Sequence, residues 1–461
     1  MDLKQYKHAH FVGIGGIGVS ALAEIAKKLG LEVSGSDMKA SPITDSLQEK
    51  GIKVYIGHAA ENAKGADLVV YSNAVNQENP ELVEGRNSGA TVVPRAVALG
   101  AIMDSYPYAV AVSGTHGKTT TTSMVSLILK DAGLDPTILV GGILNELGSN
   151  VAIGSSDYFV TEACEYMDSF LSLTPNVEII LNIDSDHLDY FKNIGNIEKS
   201  FRKFAESVPE NGFIVAFDAN PFVKTATENV KCKVVRFGYN ENSDFYPKNI
   251  VFDDLGHPSY DLYSKGEMLG RIALNVPGEH NVANSLAAIA TCANLGVDLE
   301  VMKATLAKFS GTQRRFDMVG TTKDGVRIVD DYAHHPTEVK ATLAAAQKLA
   351  HKDIWCLFQP HTYTRTMALM DDFADAFGDA DHIVLAEIYA AREKNIYKLS
   401  SEALAQRIKE LHPEKDVRFI GTFDEIANFV YKNAQAKDVV ITMGAGDIYH
   451  VGEMILEKDK Q

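Results

Sequence analysis

The stretch VSGTHGKTTTT, residues 112–122, carries residue types suited to gripping a phosphate. A glycine-rich turn between a strand and a helix leaves backbone N–H groups pointing outward. The helix dipole adds partial positive charge, so an anion is favoured there. Gly114, Thr115, His116 and Gly117 would form the turn, and Lys118 can reach the terminal phosphates of ATP. A hydroxyl from Thr119 or Thr120 can complete the shell of a Mg²⁺ ion. The commoner loop, Gly-x-x-x-x-Gly-Lys-Ser/Thr, would put its first glycine where this chain has Val112, whereas glycine comes later, at Gly114. The stretch is therefore either an imperfect match or another kind of ATP site.

A Mg-ATP site also needs acidic or imidazole groups. Glu162 closes the apolar run YFVTEA, and His187 follows IILNIDSDH. Both stand at strand ends, where open parallel sheets collect ligands. The plainer alternatives are a surface carboxylate for Glu162 and a loop histidine in an acidic patch for His187. A second glycine loop, GIGGIG, sets Gly13, Gly15, Gly16 and Gly18 between a strand and a helix, with Asp37 after the next strand. By spacing this is a dinucleotide fingerprint, with Asp37 on a ribose 2′-hydroxyl; a plain tight turn is the alternative.

The elements that must position these groups fall into three segments. Residues 10–105 alternate short apolar runs with helical stretches: HFVGIG, GVSALAEIAKKLG, LEVSGSD, DLVVYSNA, ATVVP and RAVALGAIM. Such alternation predicts βαβ units on a parallel sheet. After a hinge at DSYPY, residues 104–108, the pattern restarts with strand AVAVSG and helix KTTTTSMVSLILKDAG, followed by strands DYFVTEA and VEIILNI. Residues 210–275 are rich in turn signals and predict an antiparallel excursion, and EHNVANSLAAIATCANLG reads as a helix. The last segment supplies strands VRIVDDY, DIWCLFQ, HIVLAEI and DVVITMG between helices. The expectation is an α/β protein of three domains, 1–107, 108–313 and 314–461. These are a Rossmann-like N-terminal sheet, a central P-loop ATPase-like mixed sheet, and a C-terminal Rossmann-like domain.

Length agrees, since 461 residues exceed one ordinary core. A net charge of -17 argues against nucleic acid or a membrane surface as partner, because an acidic surface repels phosphate-bearing polymers. No apolar run approaches the roughly 18 residues of a membrane helix, and the N-terminal residues lack a signal-peptide pattern. The cysteines, Cys164, Cys232, Cys292 and Cys356, form no CxxC pair and read as buried thiols of a cytoplasmic protein.

The motifs SGTHGKTTTT, EACEYMDSF, NIDSDHLDYF, VPGEHNVANSLAA, GTQRRFD and VDDYAHHPTE occur here in an order that resembles the Mur ligases. These are cytoplasmic ATP-dependent ligases that build the peptide stem of peptidoglycan. The resemblance runs over essentially the whole chain, and that family's phosphate loop is Gly-Thr-x-Gly-Lys-Thr with no earlier glycine. It implies that Lys118 and Thr119 bind triphosphate and Mg²⁺ (Mn²⁺ substituting), with Glu162 and His187 at the metal sites. Asn281 and Asn284 would lie toward adenine, Arg315 toward the γ-phosphate, and Asp331 toward the ATP ribose. Within the family the pattern is most similar to the step that joins L-alanine to the lactyl carboxylate of UDP-N-acetylmuramate. The first glycine loop would then cradle the UDP diphosphate rather than NAD, helped by Ser72, Asn73 and Ala74 at a strand end and by Arg95. The missing hydride-transfer site and the second phosphate loop agree with that choice.

In the reaction so implied, the carboxylate attacks the γ-phosphate, and the amine then displaces phosphate from the acyl phosphate. Lys118, Arg315 and Mg²⁺ would screen the charge. The amino acid falls to Tyr332, His334 and His361, with Arg365 on its α-carboxylate because a guanidinium fork matches two oxygens. His334 would orient or accept from the amine. The alternative for Arg365 is an ion pair with Asp371 or Asp372. Tandem His334-His335 invites a zinc reading, but no companion ligands stand at useful spacing. Where many members have an arginine this chain has Thr362. The partners expected are small molecules only, with the chain a monomer or homodimer.

Overall fold

The computed structural model describes residues 1–391 and 393–460. They form two compact units: one from Met1–Gly114, Val125–Ile183 and Glu198–Val235, the other from Thr115–Met124, Asp184–Ile197 and Arg236 onward. The strands lie in three sheets, with helices between most of them, which makes an α/β architecture.

The first unit opens with β1 (His8–Val12), β2 (Glu32–Asp37), β3 (Lys53–Ile56), β4 (Leu68–Tyr71) and β5 (Thr91–Pro94), all parallel in the order β3-β2-β1-β4-β5. Their apolar runs are continuous because helices cover both faces of a parallel sheet. Phe11, Val12, Leu68, Val69 and Val70 are all buried. The chain leaves β1 at the point where strand order reverses, so the GIGGIG loop sits at the sheet's switch point.

The same unit holds β6 (Tyr108–Ser113), β7 (Thr137–Leu144), β8 (Ser149–Ala152), β9 (Tyr158–Glu162), β10 (Val177–Ile180) and β11 (Phe213–Phe217). Their parallel order is β11-β10-β6-β9-β7, with β8 antiparallel beside β7. The hairpin β7–β8 goes beyond the expected strands, because Gly141 and Gly142 interrupt its apolar run. β12 (Lys233–Phe237) leads into the second unit.

There β13 (Phe245–Phe252), β14 (Pro258–Ser264) and β15 (Glu267–Ala273) form an antiparallel meander. The antiparallel excursion expected for 210–275 is thus confined to these strands, since Phe213–Phe217 joins the parallel set. The last sheet holds β16 (Asp317–Thr321), β17 (Arg327–Asp331), β18 (Ile354–Phe358), β19 (His382–Leu385), β20 (Asp416–Phe419) and β21 (Val439–Met443). Their order is β16-β17-β21-β18-β19-β20, with only β16 antiparallel. Apolar cores fill both of its faces, one around Phe358, Phe373 and Phe377 and the other around Trp355, Ile426 and Val451.

A buried carboxylate braces the first sheet. Glu81 is fully buried and meets the Ser36 hydroxyl, Asn62 Nδ2 at 2.7 Å, His58 Nδ1 at 3.1 Å and His10 Nε2 at 3.6 Å. Burial pushes its pKa up, but the pull of nearby His10 and the bonds from Ser36 and Asn62 outweigh that and bring it down to about 2. A folded pKa below the unfolded value stabilises above the unfolded pKa. About 3 kcal/mol should therefore be lost as pH falls from 4.5 towards 2. Glu81→Ala should cost about 3–5 kcal/mol at neutral pH, because it leaves several buried donors without a partner. Urea unfolding of the wild type across that pH range, and of the variant at pH 7, checks both figures. Unchanged midpoints would remove the brace from the account.

Candidate active site

From Ser113 the chain turns through Gly114, Thr115, His116 and Gly117 into the helix Lys118–Asp131. Gly114 and Gly117 have φ of +133° and +87°, and a Cβ on Gly114 would stand 2.9 Å from that of Leu181. Val112 is buried within β6, so the turn starts later than in the commoner loop and needs no glycine there. The Lys118 ammonium folds back to donate to the Thr115 carbonyl at 3.1 Å. Thr119, buried, and Thr120, half-buried, occupy the first turn of the helix.

In the second unit the loop meets a network of charges. His116 Nδ1 lies 3.2 Å from Glu338 Oε1, and its Nε2 lies 3.3 Å from Asp184 Oδ2. Asp184 also accepts from the Thr337 hydroxyl at 2.8 Å, and its own N–H donates to the Thr115 hydroxyl at 2.9 Å. Burial alone would lower the His116 pKa, but the bonds to Asp184 and Glu338 raise it to about 9. These bonds hold the loop histidine cationic at neutral pH. Beside it, His334 is pushed down to about 4, chiefly by burial and against the pull of Glu338, so it is a neutral imidazole. Such a group can accept a proton from an attacking amine.

Arg365 turns Nε and Nη2 onto the Asp186 carboxylate at 3.0–3.3 Å and brings Nη1 within 3.2 Å of His361 Nδ1. The alternative partners Asp371 and Asp372 are therefore wrong. Asp371 pairs with Arg407, and the arginine is drawn to the loop that carries His187. His187 itself has a left-handed backbone, φ +52°, and lies 3.6 Å from Asp186. Tyr332 sits edge-on to His334 at 5.4 Å, and His334 lies 5.8 Å from His361, so the three expected amino-acid groups are together.

Companion ligands for the tandem histidines do exist in space: donors of His116, Asp184 and His335 lie within 4.8 Å of one another. They are nevertheless committed. His335 Nδ1 accepts from the Thr337 N–H and its Nε2 faces the Ser185 carbonyl at 3.0 Å, while both His116 nitrogens meet carboxylates. The cluster is an ion network, not a cation seat.

Asn281 and Asn284 are buried on the helix His280–Asn294, with Asn281 bonded to the Pro277 carbonyl at 2.7 Å and Asn284 to Asn281 at 3.0 Å. Arg315 stands over the Tyr332 ring at 5.2 Å. Asp331 accepts the N–H groups of Phe316 and Ala333, both at 2.7 Å, and so braces the turn that carries Arg315. Burial pushes its pKa up to about 6. The neighbouring Arg314, absent from the sequence reading, is committed to the fold through Asp330 and the carbonyls of Gly444 and Gly446.

The first unit offers two adjoining clefts. One, of about 640 Å³, is lined by Gly13, Gly16, Asp37, His58, Ser72 and Ala74 among others. Asp37 accepts the Gly15 N–H at 2.8 Å, and Asn73 is exposed at the end of β4. The other, of about 370 Å³, shares Gly16 and Ser72 and adds Gly18, Arg95, Gly141 and Glu162. Arg95 packs against Gly18, where a Cβ would fall 3.1 Å from its guanidinium. Glu162 Oε1 accepts the Gly141 N–H at 2.6 Å, and a Cβ at 141 would lie 2.8 Å from that carboxylate. Carboxylate oxygen of this kind is a donor suited to Mg²⁺ or Mn²⁺. Asp184, Asp186, Glu338 and Gly141 escape the sequence reading. The acid run in IDSDH and the glutamate of HPTE are their only visible signals, and both pass for loop and helix-start chemistry.

Three family models match the chain in succession: "Mur ligase family, catalytic domain" over residues 8–107, "Mur ligase middle domain" over 112–292, and "Mur ligase, glutamate ligase domain" over 314–446. The chain is 49% identical over 456 residues to a UDP-N-acetylmuramate–L-alanine ligase of Alkaliphilus metalliredigens, covering 99% of this chain and 98% of the relative. It is 48% identical to the one from Acetivibrio thermocellus, covering 100% and 98%. Among solved structures, the UDP-N-acetylmuramate-alanine ligase of Thermotoga maritima superposes with TM-score 0.82 at 29% identity, over 99% of each chain. A murein peptide ligase of Psychrobacter arcticus does so with TM-score 0.73 at 26% identity, over 98% of each.

The charge network has a direct readout. In an NMR titration the His116 ring should lose its proton near pH 9 and the His334 ring should stay neutral down to about pH 4. In Asp184→Asn the His116 pKa should fall towards the ordinary 6.5, because one of its two carboxylates is gone. A His116 that titrates near 6.5 in the wild type would show that the network does not hold its charge.

Proposed function

The chain belongs to the Mur ligase family, and from that premise we infer how its sites share one reaction, the ATP-dependent joining of L-alanine to UDP-N-acetylmuramate in peptidoglycan synthesis. The observation that carries the reading is the presence of two phosphate-type glycine loops on two sheets, in a chain alike over its full length to ligases of that name.

The larger cleft of the first unit takes the UDP moiety, with Gly13, Gly15, Gly16 and Gly18 at the diphosphate and Asp37, Ser72, Asn73 and Arg95 around it. Because that cleft adjoins the one containing Glu162, the sugar end is led towards a carboxylate suited to a metal. ATP lies on the 114–120 loop, with Asn281 and Asn284 near adenine, Asp331 near ribose and Arg315 near the γ-phosphate. Thr119, Glu162 and His187 would hold Mg²⁺, or Mn²⁺ in its place; the ion supplies charge neutralisation at the phosphates.

Lys118 and Arg315 draw electron density from the γ-phosphoryl group while the lactyl carboxylate attacks it. This gives an acyl phosphate and ADP. L-Alanine sits by Tyr332, with Arg365 and His361 on its α-carboxylate. Neutral His334 accepts a proton from the amine as it attacks the carbonyl and phosphate leaves. Segments 1–107, 108–313 and 314–461 carry these three duties. No helix among the described residues is long and apolar enough to cross a membrane, and we place the enzyme in the cytoplasm as a monomer or homodimer acting on small molecules alone.

Phosphate release from ATP tests the reading, measured with UDP-N-acetylmuramate and L-alanine, glycine, L-serine or a tripeptide, each with a no-sugar control. Release should need both the sugar nucleotide and L-alanine, and Lys118→Ala should lower kcat by ~10²–10³-fold. Arg365→Lys should raise the KM for L-alanine about tenfold or more and leave the KM for UDP-N-acetylmuramate unchanged, since an ammonium cannot reproduce the fork. Preference for the tripeptide would assign the protein to peptide recycling, and release indifferent to the sugar nucleotide would overturn the reading of the first loop.

A further inference from the structure

Glu338 stands where the phosphate loop and the amine-side histidine meet. It is the third residue of the helix Pro336–Ala346, whose N-cap is His335. A carboxylate there commonly turns back to the N-cap backbone. Here the His335 ring itself accepts from the Thr337 N–H at 3.3 Å, and the Glu338 carboxylate faces elsewhere. Its Oε1 lies 3.2 Å from His116 Nδ1, while Oε2 accepts the His334 N–H at 3.0 Å and lies 3.3 Å from His334 Nδ1. The carboxylate is thus shared between two histidines, one oxygen to each.

The remaining bonds make the arrangement stiff. His116 is held on its other nitrogen by Asp184, and Asp184 returns to the Glu338 helix through the Thr337 hydroxyl. His334 is held on its backbone by Glu338 and at its ring by the Tyr332 carbonyl, 3.0 Å away. A shift of the 115–116 turn when triphosphate arrives must therefore pull on Glu338, and a shift of Glu338 must move His334.

We infer that Glu338 is a positioning residue that couples the ATP loop to the amine site, so that the geometry of His334 is set by the state of His116. This rests on the reading that places ATP on the 114–120 loop and the amine at His334. The ligation gives such a coupling a purpose. An acyl phosphate formed while the amine site is slack would be lost to water, and a shared carboxylate ties the two sites before the phosphoryl group moves.

Coupling free energies are reciprocal and are isolated by double-mutant cycles. His116→Gln, a change in the phosphate loop, should raise the KM for L-alanine by about 5–20-fold, and His334→Gln should raise the KM for ATP by a similar factor. Neither should move the KM for UDP-N-acetylmuramate. In the isosteric Glu338→Gln background both cross-effects should shrink to below about twofold, because a carboxamide accepts at only one of its two ends. Absent cross-effects in the wild-type background, or cross-effects that persist in Glu338→Gln, would each overturn the coupling. Should Glu338→Gln fail to fold, the two single variants in the wild-type background still decide. Lys118→Ala separates the two levels of failure. If it stays active, the reading of the loop falls; if it is inactive while the cross-effects are missing, only the coupling falls.

Discussion

Everything at this site depends on one constraint, that the chain must pass from the end of β6 at Ser113 into a helix at Lys118 within a few residues. A chain can leave a strand and enter a helix in so few residues only by passing through backbone angles that L side chains resist. Gly114 and Gly117 supply those angles, and the close wall at Leu181 admits no side chain at Gly114. Once the turn is fixed, the position of Lys118 follows, as does that of Thr119 in the first helical turn. Val112, buried within β6, shows that the strand still runs where the commoner loop would already have begun. A glycine there would weaken the strand and add no donor.

The second requirement is electrostatic. A chain of net charge -17 must accept ligands that are themselves anionic, so cations have to be concentrated locally and kept charged. Lysine and arginine do so intrinsically. His116 does so only because Asp184 and Glu338 flank it, and those carboxylates are themselves held well below the usual carboxylate range. Buried charges of this kind persist when each is paired from several sides; removing one partner leaves another charge exposed to a low-dielectric interior. Arg365 and Asp186 follow the same logic. The guanidinium is held by the Asp186 carboxylate on one side and by His361 on the other.

Sequence patterning revealed the features that local chemistry writes. Parallel strands covered on both faces read as short apolar runs, so β1, β4, β6, β10, β18 and β21 stand out. Edge strands such as β16 and β20 do not, because Asp317–Thr321 and Asp416–Phe419 lie at sheet borders where one side needs no apolar neighbour. Glycine-rich turns are legible, yet the first one matches equally any ligand with a diphosphate beside a ribose, and only whole-chain likeness separates these. Glu338 and Asp184 are illegible for a different reason. Their partners lie far along the chain, and a glutamate at the third helical position already has a local explanation.

The floor of the larger cleft shows why a buried polar group is kept where an apolar one would pack as well. His58 lines that cleft, and its Nδ1 lies 3.1 Å from Glu81 and 3.0 Å from the Ser36 hydroxyl. A carboxylate held ionised can only accept, so Nδ1 must carry the proton and donate to it. In the neutral ring Nε2 is then an acceptor, and its tautomer is set by a residue that lies beneath the cleft surface. Had the floor been leucine, the ring could flip between tautomers and offer a donor or an acceptor without preference. On the reading that this cleft takes the UDP moiety, which presents both kinds of group, holding it in one register needs that choice made in advance. Glu81 makes it through the same bonds that brace the first sheet, which joins the stability of this fold to the selectivity of its site.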